Sequence, residues 1–257
     1  MKTNTIHNEN CLDTMARMED NFIDLTVTSP PYDNLRTYNG YSFDFESIAE
    51  ELYRVTKEGG VLVWIVGDAT IKGSESGTSF RQALYFKECG FNLHDTMIWH
   101  KPNAIPTQST RYQQGFEFMF VFAKGKIKAF NPIKTVSKCK GVKVKKHRAK
   151  TEGHNYNAEG YYTVSAKKII DNVWIMANVK NKTKHPAIFP EQLANDHIIS
   201  WSNEGDLVYD CFMGSGTTAK MAIVNNRRYV GSEMSKEYCE IAKERINKPD
   251  LFTLDTK

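Results

Sequence analysis

Two short runs in the chain carry residue types suited to chemistry. The first, "TSPPY" at 28 to 32, sets Ser29 ahead of two prolines and closes on Tyr32. Pro30 and Pro31 hold φ near −65°, so the backbone is stiff, with a hydroxyl before it and an aromatic ring after it. Such a strip suits a reaction that needs a fixed carbonyl beside a ring, although a turn that merely ends a strand reads the same way. The second run is "CFMGSGTTA" at 211 to 219, directly after Asp210. Gly214 and Gly216 permit a tight turn and close approach to a ligand, and Thr217 and Thr218 open a helix whose N–H groups face the same crevice. Glu233 follows at the end of the next apolar run, where an acidic residue can hold the two ribose hydroxyls of an adenosine-containing cofactor. The third glycine of G-x-G-x-x-G is absent, since Ala219 follows the two threonines, and that departs from a dinucleotide fingerprint. Alone the Gly-x-Gly is a plain turn; strand, Asp210, glycines, helix, strand and Glu233 in register point to a cofactor.

These runs need elements to hold them. "FIDLTVT" (22 to 28) is a short β-rich stretch stopped by Pro30, so TSPPY sits at a strand's C-terminal end. "FESIAEELYRVTKEGG" has Ile48, Leu52 and Val55 at helical spacing and reads as a helix ending at Gly59 and Gly60, with "VLVWIVGD" the next strand. A helix near 79 to 89, the strand "FNLHDTMIWH" and the aromatic strand "FEFMFVFAKGK" continue the alternation. It resumes with a helix in "FPEQLANDHIISWS", a strand in "DLVYD", a helix in "GTTAKMAIVNN", a strand in "RRYVGSE" and a helix in "SKEYCEIAKERI". Strands alternating with helices predict a mostly parallel sheet.

Between these halves the character changes. From Lys126 to Lys150 there are ten Lys or Arg residues and no Asp or Glu, a stretch that reads as an insertion and, by itself, as a solvated face. With 257 residues, the chain holds one α/β core plus a modest insert. Charged residues make up 25% and the net charge is +4, so overall charge selects no partner. No apolar run nears the roughly 20 residues that span a bilayer, and the start lacks a signal-peptide layout, so a cytoplasmic location is expected. The five cysteines, Cys11, Cys89, Cys139, Cys211 and Cys239, show no C-x-x-C or other metal spacing; reduced thiols and no metal are expected.

Together the two runs resemble the amino-directed DNA methyltransferases, and the likeness spans nearly the whole chain. That family carries a catalytic (D/N/S)-P-P-(Y/F/W) motif, matched by Ser29, Pro30, Pro31 and Tyr32, and a cofactor motif like D-P-F-x-G-S-G-T-T, matched by Asp210 to Thr218 with Cys211 in place of the usual proline. The catalytic motif comes first and the basic region lies between, which is the order of the family's β group. "HPAIFPEQL" (185 to 193) is similar to the segment that helps hold the methionine end of the cofactor, and "NCLDTMARMEDNFIDLTVT" to the lead-in to the catalytic strand, except that Asn10 stands where an acidic residue is common.

The resemblance implies a Rossmann-like, circularly permuted methyltransferase domain over 1–257, with a sheet of about seven strands and a basic target-recognition insertion at 126–180. It implies S-adenosylmethionine as cofactor, bound by Asn10, Cys11, His185, Phe189, Pro190, Asp210, Phe212, Gly214, Ser215, Gly216, Thr217 and Glu233. Ser29 and the Pro30 carbonyl would accept the two protons of an exocyclic amino group, and Tyr32 would stack on a flipped base. Double-stranded DNA is the implied partner, contacted through Arg36, Lys134, Lys138, Lys140, Lys143, Lys145, Lys146, Arg148 and Lys150. Tyr156, Tyr161 and Tyr162 pack or contact bases. Tyr38, Lys101 and Asn103 lie in loops where DNA could pass, or are ordinary solvated loop residues. A companion restriction endonuclease and a homodimer stay open as further partners. A leading serine favours N4 of cytosine over N6 of adenine; RNA methylation and a catalytically silent DNA-binding protein are the rival readings.

Overall fold

The computed structural model describes residues 1–31, 43–104, 110–145, 150–151, 154–155, 161–178 and 189–247. By contacts the chain divides into two units, Met1–Asn131 with Asn172–Lys257, and Pro132–Asp171.

The larger unit is built on one sheet. Its strands are β1 (Thr5–His7), β2 (Ile23–Thr28), β3 (Thr56–Val66), β4 (Asn92–His100), β5 (Phe116–Ala123), β6 (Val173–Ile175), β7 (Leu207–Asp210) and β8 (Arg228–Ser232). They lie in the order β1-β8-β7-β2-β3-β5-β4-β6, so among the described residues eight strands stand where about seven were expected. Every neighbouring pair is parallel except those made by β5, which runs against β3 and β4. β2 precedes β7 by some 180 residues in the chain yet pairs with it directly, Val208 opposite Leu25. The two motif-bearing strand ends are therefore neighbours.

Among the described residues six helices accompany the sheet: α1 (Cys11–Ala16), α2 (Phe45–Val55), α3 (Thr78–Glu88), α4 (Glu191–Trp201), α5 (Thr217–Val224) and α6 (Lys236–Asn247). Alternate strand residues decide which helices each face receives. Ile23, Leu62, Trp64, Phe122 and Tyr209 form one core with Met15, Leu52 and Phe86 of α1, α2 and α3. The other face receives α4 and α5. There the His197 ring lies against Trp174 with centroids 4.6 Å apart, and its Nε2 is 3.2 Å from Met119 Sδ. Burial drives the pKa of His197 down to about 3, and Trp201 Nε1 donates to its Nδ1 at 3.3 Å. It is a neutral core histidine. With both faces covered, β3 is buried almost end to end, as parallel strands require.

One boundary differs from the sequence expectation. α2 stops at Val55 and β3 starts at Thr56, so Gly59 and Gly60 lie inside the strand and do not end the helix. A Cβ on Gly60 would come within 3.0 Å of the Asp24 carbonyl on β2, next to a register shift between Ile23 and Leu25. The glycines mark a bulge where two backbones close up.

The smaller unit is a nested antiparallel arm. Lys134–Val136 pairs with Lys167–Ile169, Lys143–Lys145 with Tyr161–Thr163, and Lys150–Thr151 with His154–Asn155.

Candidate active site

β2 delivers Ser29 and Pro30 to the C-terminal edge of the sheet, and β7 delivers Asp210 beside them. The Asp210 carboxylate is 2% exposed and collects donors from both motifs. Thr28 Oγ1 donates to Oδ1 at 2.6 Å, Thr218 Oγ1 to Oδ2 at 2.7 Å and the Phe212 N–H to Oδ1 at 3.0 Å. Burial pushes its pKa up, and these hydrogen bonds oppose the shift. Asp210 is thus the bracket that fixes the end of β2 against the glycine turn. Cys211 faces the same bracket, with its Sγ 3.5 Å from Thr28 Oγ1.

The turn after Asp210 needs its glycines for geometry: φ is +51° at Gly214 and +81° at Gly216. A Cβ at Gly216 would sit 2.9 Å from the Ala242 Cβ, so its missing side chain makes room for α6. Glu233, just past β8, closes the other side. Its Oε2 accepts the Gly214 N–H at 2.8 Å and its Oε1 the Ser235 N–H at 2.8 Å. Burial raises its pKa, against those backbone hydrogen bonds. Asn8 Nδ2 donates to the Glu233 and Met234 carbonyls at 2.9 Å each, which ties the end of β1 to the end of β8. Asn10 Oδ1 caps α1 by accepting from Leu12 N at 2.9 Å. Cys11 is buried in the core, which pushes its thiol up to about 12.

Of the expected cofactor residues, Asn10, Asp210, Phe212, Gly214, Ser215, Gly216, Thr217 and Glu233 line or brace adjoining strand ends at this edge. Phe212 packs its ring on Phe43 and Trp64. Phe189 is half-buried, and the buried Pro190 is the N-cap residue of α4. In the arm, Lys134, Lys138, Lys140, Lys143 and Lys145 are exposed, and none has an acidic partner among the described residues. Lys143 and Lys145 share a face with Thr163 and Tyr161, while Val144 and Tyr162 share the opposite one. Lys101 is ion-paired with Glu117 and lies 4.3 Å from the Trp99 ring, and Asn103 Oδ1 accepts the Asn178 N–H at 2.9 Å. Tyr32, Arg36, Tyr38, Lys146, Arg148, Tyr156 and His185 lie outside the described residues, as does the side chain of Lys150. No His, Cys, Asp and Glu group suited to a metal occurs among the described residues, and no helix there is long and apolar enough to cross a membrane.

A parallel-dominated sheet with a catalytic-type strand end locked to a glycine turn defines a class, the Rossmann-like methyltransferases. Residues 23–244 match the family model of the DNA methylases that modify adenine N6 or cytosine N4, and the chain belongs to that family. It is 58% identical over 238 residues to the orphan methyltransferase M.BamHII of Bacillus amyloliquefaciens, covering 87% of this chain and 88% of that one. The type II methyltransferase M.BglII of Bacillus subtilis is 28% identical, over 98% of this chain and 73% of that one. Among solved structures, the cytosine-N4-specific PvuII DNA methyltransferase superposes with a TM-score of 0.71 at 21% identity, over 97% of this chain and 88% of that one.

Proposed function

We propose that the chain transfers the methyl group of S-adenosylmethionine to the exocyclic amino nitrogen of a flipped base in double-stranded DNA, N4 of cytosine. The observation that carries this reading is the Thr28–Asp210–Thr218 bracket, which makes Ser29-Pro30 and the glycine turn two walls of one crevice.

The residues present fit the cofactor. A carboxylate offers about four acceptor sites, and Glu233 meets the backbone N–H groups of Gly214, Ser235 and Met234, so acceptor capacity remains for a ribose hydroxyl. When bound, S-adenosylmethionine supplies a methyl group on a positively charged sulfur. The chain's part is to prepare the nucleophile. The lone pair of an aromatic amino nitrogen is delocalised into the ring, and holding both amino protons on Ser29 Oγ and the Pro30 carbonyl favours a tetrahedral nitrogen. Pro30 and Pro31 fix that carbonyl beforehand. Orienting two bound reactants can supply about 7 to 11 kcal/mol of the barrier, so no covalent enzyme intermediate is needed. The two cysteines nearest the crevice fit that route, because burial raises the pKa of both Cys11 and Cys211 and disfavours a thiolate.

The leading Ser29 supports N4 of cytosine. A two-stranded ribbon fits a major groove about 12 Å wide, and the exposed Lys134, Lys138, Lys140, Lys143 and Lys145 suit phosphates, which supports the arm as the DNA-binding element. The test is methylation of mixed-sequence duplex DNA with labelled cofactor, followed by nucleoside mass spectrometry. N4-methylcytosine is expected. N6-methyladenine would overturn the base assignment alone, and 5-methylcytosine or no product would overturn the reading.

A further inference from the structure

Behind the glycine turn lies an ionic knot centred on α6. The Arg245 side chain is 19% exposed. Its Nη1 donates to the Ser215 carbonyl at 3.3 Å, to Ser215 Oγ at 3.0 Å and to Thr217 Oγ1 at 3.0 Å. Its Nη2 pairs with Glu191, the first residue of α4. Lys220 of α5 donates to both Glu191 oxygens, at 2.9 and 3.0 Å. Burial alone would raise the Glu191 pKa, but the Arg245 and Lys220 hydrogen bonds outweigh it and hold the carboxyl below its usual range. One guanidinium therefore joins the stretch Phe189-Pro190-Glu191 to the stretch Ser215-Gly216-Thr217. The contact of Gly216 with Ala242 presses α6 onto the same turn. Two cations on one carboxylate leave the knot with a positive surplus, and the amino-acid end of S-adenosylmethionine carries a carboxylate.

We infer that Arg245 is a positioning residue for the cofactor: it locks the 189–191 stretch to the glycine turn, so that both meet the amino-acid end of S-adenosylmethionine at a fixed spacing. Glu233 serves the adenosine end. This rests on the crevice reading above. Lysine replaces Arg245 only in part, because an ammonium keeps the charge but lacks the planar fork that reaches the turn and Glu191 at once.

The test is calorimetric titration of Arg245→Met, Arg245→Lys and a Glu233→Ala control with two probes. One is S-adenosylmethionine; the other is 5′-methylthioadenosine, which keeps the adenosine end and lacks the amino acid. Arg245→Met should weaken S-adenosylmethionine binding about tenfold or more while changing methylthioadenosine binding less than about threefold. Arg245→Lys, which keeps the charge and most of the stem, should show the same selectivity at smaller size. Glu233→Ala should weaken both probes. Equal losses for both probes in the Arg245 variants, or wild-type affinity for both, would overturn the positioning role while the crevice stands. If Glu233→Ala left both affinities unchanged, the crevice reading would fall and the role of Arg245 with it. Should Arg245→Met not fold, the lysine variant decides, and wild-type S-adenosylmethionine binding by it would refute the inference.

Discussion

Replacing Thr218 by valine removes one oxygen from the Asp210 bracket and keeps the side chain's shape. The hydroxyl lost donates to Oδ2 at 2.7 Å in a site that is 2% exposed, and no other described residue donates to that oxygen. A hydrogen bond to a charged acceptor contributes about 1.5 to 3 kcal/mol, so Thr218→Val should cost about 2 to 3 kcal/mol of stability. Thr28→Val should cost less, about 1 kcal/mol, because Oδ1 keeps the Phe212 N–H at 3.0 Å. The two hydroxyls serve one carboxylate, so the double variant should deviate from the sum of the singles by at least about 0.5 kcal/mol. Urea unfolding monitored by tryptophan fluorescence measures each value, with an unchanged slope confirming that stability alone has moved. The pH dependence has a definite sign. Both hydroxyls lower a carboxyl pKa that burial raises, so removing one penalises the ionised form, and the cost should shrink as acid protonates Asp210. A Thr218→Val cost below about 0.5 kcal/mol at both pH 8 and pH 5 would mean that the carboxylate does not depend on the hydroxyl, and the bracket argument would fail.

Ser29→Ala should slow single-turnover methyl transfer and leave cofactor affinity within about twofold, since it removes an acceptor aimed at the base; an unchanged rate would refute that role. Tyr32→Ala should likewise lose activity while cofactor affinity holds. Neutralising Lys143 should reduce the magnitude of the salt slope of DNA binding by about 1 and weaken all sequences alike, whereas an unchanged slope would leave the arm's lysines as a solvated face. Glu191→Gln should destabilise the protein most near neutral pH. The native carboxyl is held below its ordinary value, so its contribution is present above the unfolded pKa and fades as pH falls through the folded one; a cost that does not change with pH would contradict the knot.

Much of the frame was legible because the sequence writes it locally. β2 stops where proline forbids more ladder, and β7, the glycine turn and α5 follow one another between Leu207 and Val224, so strand, turn and helix could be placed without distant contacts. What stayed hidden depends on partners far along the chain. The role of Asp210 as a bracket was out of reach, because its donors include Thr28, 182 residues away. Arg245 carries no motif, and an arginine in the last turn of a charged helix ordinarily reads as solvated, whereas here it reaches Ser215 and Glu191. Gly60 signals a helix stop in isolation and becomes a bulge only when the Asp24 carbonyl approaches it. The reversal of β5 was equally out of reach, since "FEFMFVF" is apolar apart from Glu117 and gives no direction.

The arm's pairing has an evolutionary consequence. Lys134 sits opposite Ile169, so the chain enters and leaves the arm through one doorway about 5 Å wide. The described strands beyond it close on one another, Lys143–Lys145 on Tyr161–Thr163 and Lys150–Thr151 on His154–Asn155. A lineage can lengthen, shorten or exchange such a hairpin by one recombination event without re-threading the sheet or disturbing the Asp210 bracket. On the function proposed above, new target preferences would then arise by grafting, while the strand ends joined at Asp210 are inherited intact.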